Sequence, residues 1–79
     1  MKEMPLPALM RIRFTAHAEQ RMKMRGIDRS WVLGALRNPD KASKQGEAQL
    51  FRKETPHGTI EVCAERRESD IKVITVYWV

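Results

Sequence analysis

At Asn38-Pro39 the apolar residues change their period, and that switch divides the chain into a helical half and a strand half. Before it, Ala18 and Met22, then Trp31, Val32, Ala35 and Leu36, recur at the three- and four-residue spacing of a helix face. Proline cannot continue a helical ladder, so the second helix must end there. After it, apolar residues alternate with polar ones, as in strands.

Local signals place the boundaries. Met10 to Phe14 predicts a short edge strand, since Ile12 and Phe14 alternate with Arg11 and Arg13. Thr15 is an N-cap candidate for the helix AHAEQRMKMR, and Gly26 suits the left-handed position that closes it. Asp28 offers the next N-cap, opening a helix from Arg29 to about Arg37. The polar run DKASKQGE has no period and reads as a loop. Three strands follow, at Ala48 to Glu54, Thr59 to Arg66 and Ile71 to Val79. The last is apolar at Val73, Ile74, Val76 and Trp78, which predicts burial on both faces and a place inside the sheet.

The expected fold is therefore α+β: a short N-terminal strand, two helices, then a three-stranded antiparallel meander with both helices on one face. Residues 1–10, broken by Pro5 and Pro7, read as a flexible arm, and residues 11–79 as a single domain.

Seventy-nine residues leave little room for a deep cavity, because a chain this short buries only about 60% of its unfolded surface. A site here should be a shallow groove, which suits polymers better than small metabolites. Fifteen Lys and Arg against 10 Asp and Glu give a net charge of +5, a field that gathers phosphates. The sole cysteine, Cys63, excludes an internal disulfide, reads as a small core hydrophobe and fits a reducing, cytoplasmic setting. No signal-peptide or membrane-spanning run is present. Two distant histidines and one cysteine make no zinc site, so neither metal nor cofactor is expected.

The stretch TAHAEQRMKMRGI carries the most information. His17, Arg21 and Arg25 are four residues apart and fall on one stripe beside Ala18 and Met22, where helix meets sheet. Guanidiniums there present forked donors to phosphate oxygens. The competing reading is that Arg21 and Arg25 pair with sheet carboxylates such as Glu61 or Glu65. His17, in the first turn, is a candidate general base or simply caps the turn. His57, in the turn TPHGT, should be solvated.

The pattern HAEQRMKMRGI, with RNPDK, a Gly-containing hairpin turn and VITVY, resembles a bacterial family of unknown function that opens on Thr-x-His-Ala. That family looks like a branch of the RelE and BrnT superfamily of small toxins, whose proven members cleave RNA without metal and are silenced by a small antitoxin. The resemblance spans roughly residues 12 to 78. It implies a RelE-like fold and a metal-independent endoribonuclease in which the ribose 2′-OH attacks its own phosphate. His17, Arg21, Arg25 and Tyr77 would then be catalytic, and Arg21, Arg25, Arg52 and Lys53 would hold RNA. Glu61 is an alternative to Tyr77 as proton-transfer partner, with Thr75 orienting either. The basic C-terminal tail typical of RelE does not follow Tyr77-Trp78-Val79 in this sequence, so the expectation is action on free RNA, or no catalysis, and not a ribosome-dependent mechanism. The implied partners are RNA and a small acidic antitoxin; separately, the short chain and its apolar last strand are compatible with a homodimer but do not require one. The alternative is a non-catalytic nucleic-acid-binding or protein-interaction module on the same fold.

Overall fold

The computed structural model describes residues 11–68 and 70–79. The expected arm over residues 1–10 lies outside them. The elements run β1 (Arg11–Phe14), α1 (Ala16–Arg25), α2 (Arg29–Arg37), β2 (Lys41–Gln45), β3 (Ala48–Thr55), β4 (Gly58–Arg66) and β5 (Asp70–Trp78).

Capping chemistry fixes the helix ends as the sequence predicts. The Thr15 hydroxyl accepts from the Ala18 amide at 3.0 Å and donates to the Val73 carbonyl at 3.0 Å, so one side chain starts α1 and ties it to β5. Gly26, at φ 64°, closes α1, and the Ile27 amide behind it reaches the Met22 carbonyl. The Asp28 carboxylate accepts from the Ser30 hydroxyl and amide, which together hold it below its ordinary pKa and cap α2.

The strands form one sheet in the order β1-β5-β4-β3-β2. β1 pairs with β5 in parallel and the remaining neighbours are antiparallel. The expected architecture, a three-stranded meander with both helices on one face, is thereby corrected to a five-stranded mixed sheet with two helices. One cause is DKASKQGE, expected as a loop, which contains β2. As an edge strand β2 sends only Ala42 toward the core and keeps its other side chains polar, so it shows no apolar alternation. The other cause is the direction of β1, whose parallel pairing with the distant β5 leaves no local mark.

The core is a single cluster. Ala18 and Met22 of α1, Val32, Ala35 and Leu36 of α2, and Ile27 meet Phe51, Ile60, Val62, Ala64, Ile71, Val73 and Val76 of the sheet. α1 lies against β5, and α2 against β3 and β4.

A bulge decides what the sheet presents on its other side. Between β4 and β5 the register slips: Cys63 faces Thr75 but Ala64 faces Val73, leaving Ile74 as an extra residue. Ile71 and Val73 point to the core before the slip, and Val76 points there after it. Without the extra residue Tyr77 would share the core parity of Val73. With it, Thr75 and Tyr77 turn to the opposite face. The run of apolar residues in β5 thus reflects a switch of parity, which corrects the expectation of burial on both faces.

Candidate functional site

The face of the sheet turned away from the core cluster carries an ordered row of polar side chains. Register places Lys41 opposite Arg52, Arg52 opposite Glu61 and Glu61 opposite Tyr77, one residue from each of β2 to β5. Among the described residues, neither helix packs over this row.

Glu61 is the centre of the row. It is 6% exposed, the sole buried charged side chain among the described residues. Arg52 Nε donates to Glu61 Oε1 at 2.6 Å, and the Tyr77 hydroxyl donates to Oε2 at 2.5 Å. Each carboxylate oxygen therefore has its own donor, which offsets the cost of removing a charge from water. Burial pushes the Glu61 carboxyl up. The hydrogen bonds from Tyr77 and Arg52, with the Arg52 charge, outweigh it and hold the group below its ordinary pKa. The same bond, reinforced by burial and by the Glu61 charge, pushes the Tyr77 phenol up to about 12. At neutral pH Glu61 is therefore a carboxylate and Tyr77 a neutral phenol. Arg52 remains 47% exposed and keeps its outer donors available. A shallow hollow lined by Lys41, Ser43, Leu50, Arg52 and Glu61 opens beside them.

The residues singled out in the sequence separate into two groups. Arg52 and Tyr77 meet through Glu61. Lys53, next in the chain, points to the opposite side, as alternation requires. Its ammonium donates to the Asn38 carbonyl at 3.0 Å and lies 3.7 Å from Asp40, bracing the α2–β2 junction. On α1, His17 is exposed and Arg21 is half-buried against Met24, its Nη1 3.7 Å from the sulfur. Arg25 Nη1 donates to the Val76 carbonyl at 2.8 Å, beyond the end of β1, where that edge of β5 has no strand partner among the described residues. The Trp78 indole in turn donates to the Arg25 carbonyl. Neither arginine pairs with Glu61 or Glu65, and no described hydrogen bond joins the α1 stripe to Glu61.

Glu61 was legible only as one of several partners. Its signal is a lone carboxylate within IEVCA, where its neighbours Ile60 and Val62 are apolar. Cys63, expected in the core, is instead half-buried on the open face, opposite Leu50 and Thr75. Burial, and then the charges of Glu61 and Glu65, push its thiol up, so it stays protonated and weakly nucleophilic at neutral pH. His57 is exposed as expected, its ring centroid 5.4 Å from that of Trp31. Among the described residues no three His, Cys, Asp or Glu side chains gather as a metal site, and no helix is long and apolar enough to cross a membrane.

No curated protein and no solved structure matches the chain. A family does. Residues 14–78, from the last residue of β1 to the last of β5, match the family described as "Domain of unknown function (DUF4258)", and the chain belongs to it.

Proposed function

We propose that the open sheet face binds single-stranded RNA and cleaves it by attack of a ribose 2′-OH on the adjacent phosphate, without a metal ion. The observation that carries this reading is the buried Glu61 carboxylate joining Arg52 to Tyr77 on a surface that neither helix covers. Further support comes from the net positive charge and from the likeness of the family that HAEQRMKMRGI resembles to a branch of the RelE and BrnT toxin superfamily.

The three groups divide the work. Arg52 holds the non-bridging phosphate oxygens as charge develops on them. Glu61 takes the proton of the 2′-OH as its oxygen bonds to phosphorus. The bond to the 5′ oxygen then breaks, and that oxygen leaves with the proton of Tyr77. The proton gained by Glu61 returns to the Tyr77 oxygen along the hydrogen bond they already share, restoring both groups. The products are a 2′,3′-cyclic phosphate and a 5′-hydroxyl. A small acidic antitoxin covering the same face is the partner this reading brings with it.

The test is incubation of the purified protein with RNA in EDTA. Tyr77→Phe and Arg52→Ala should each lower the cleavage rate by about a hundredfold or more, whereas His17→Ala should leave it within about twofold. Loss on His17→Ala alone would move the chemistry to the α1 stripe. Absence of cleavage by the unaltered protein would remove catalysis. A second reading, a non-catalytic RNA-binding module, is favoured by the depressed Glu61 carboxyl, a weak base held in a satisfied ion pair. It predicts salt-sensitive binding and no products.

A further inference from the structure

Resting on the RNA reading above, we infer that the open face holds a second phosphate subsite, and that the RNA backbone runs along β4 between it and the Arg52–Glu61–Tyr77 row.

The rows of the face alternate in character. The first, Lys41-Arg52-Glu61-Tyr77, has one more cation than anion. The next, Ser43-Leu50-Cys63-Thr75, carries no formal charge. The third sets Glu65 opposite Lys72 and Lys72 opposite Arg13. Arg67 joins this end through a 3.4 Å contact with Glu65, and Arg13 lies 3.5 Å from Asp70. Arg13, Arg67, Asp70 and Lys72 line a hollow that is separate from the one beside Arg52. Counting Glu65 and Asp70 against them, the three cations leave this end with one positive charge in excess.

Two cationic hollows thus flank an uncharged strip. From Glu61 to Glu65 the rows are about 13 Å apart, at about 3.3 Å per strand residue. A polymer with regularly spaced anions and uncharged units between them matches that pattern. A single phosphodiester cannot reach both hollows, but an extended strand of about three nucleotides or more can. Leu50 and Thr75 then form the floor under the intervening sugar and base. Arg13 and Arg67 are held loosely, because their carboxylate partners are distant and their side chains 66% and 56% exposed. An arriving phosphate takes their remaining donors without breaking a buried pair.

The experiment measures binding of labelled oligoribonucleotides by fluorescence anisotropy across a salt series, in EDTA and with 2′-O-methyl sugars to prevent cleavage. Lengthening the ligand from a dinucleotide to a hexanucleotide should raise the affinity of the unaltered protein by about tenfold or more. In the double variant Arg67→Ala, Lys72→Ala that gain should disappear, dinucleotide affinity should hold within about twofold, and the salt slope for the hexanucleotide should fall by about 1.4. A control that removes the same charge elsewhere, Lys23→Ala with Arg37→Ala, should keep the gain. Persistence of the gain in Arg67→Ala, Lys72→Ala, or its equal loss in the control, overturns the second subsite while leaving the first. Failure of the unaltered protein to bind either ligand overturns the RNA reading and the subsite together.

Discussion

Along β4, Ile60, Val62 and Ala64 are sealed into the core at zero exposure, while the alternating Glu61, Cys63 and Glu65 turn to the other face. One strand therefore serves two solvents. The core side is held by apolar burial, which is additive and tolerant of chemistry but not of lost volume. The other side is held at its centre by three polar groups that satisfy one another, and its disruption changes charge and proton affinity more than packing. A small domain can leave one sheet face free of its helices because those helices and the other sheet face supply the core.

Substitutions on the two faces should separate these behaviours. The largest loss is expected on the core side: Leu36→Ala should lower the unfolding free energy by about 2–5 kcal/mol in urea titration, with no change in the pH dependence of stability. On the open face Tyr77→Phe should cost less, about 1.5–3 kcal/mol, through the bond lost to a charged acceptor. A Tyr77→Phe cost equal to that of Leu36→Ala would mean that the open face is part of the core.

The pH dependence sharpens the contrast. Glu61 is depressed in the folded state, so its contribution is present above its ordinary value near 4.5 and lost as pH falls through the folded value. Tyr77 is raised from 10 to about 12, so its contribution is full below pH 10 and lost as pH rises through 12. Stability measured against pH should lose part of its acid limb in Glu61→Gln and part of its alkaline limb in Tyr77→Phe. The smallest effect is expected for Arg67→Ala, whose exposed 3.4 Å contact with Glu65 should change stability by no more than about 0.5 kcal/mol.

The sequence carried the core side far more clearly than the open one. Thr15, Gly26 and Asp28 mark helix ends through local bonding, and Val32, Ala35 and Leu36 mark a buried face through period alone. β2 was hidden because an edge strand with one inward alanine lacks the signature of a strand. The parallel β1–β5 pairing joins segments about sixty residues apart, beyond any local pattern. The site was blurred for a related reason: alternation showed that Thr75 and Tyr77 share a face, but only the slip at Ile74 puts that face opposite Glu61. Arg52 and Lys53, grouped together as RNA contacts, are sent to opposite sides by the pleat. The His17, Arg21 and Arg25 spacing does put all three on α1, yet Arg25 engages a backbone carbonyl of β5.

The most direct test follows backbone amide chemical shifts while a non-cleavable single-stranded hexaribonucleotide is added. Ligand on the open face should perturb Arg52, Glu61 and Tyr77 together with Lys72 and Arg67, leaving the amides of α2 and of His17 to Arg21 nearly still. Shifts gathered on α1 with Glu61 and Tyr77 unmoved would contradict the account, because RNA would then be meeting the helix and not the sheet.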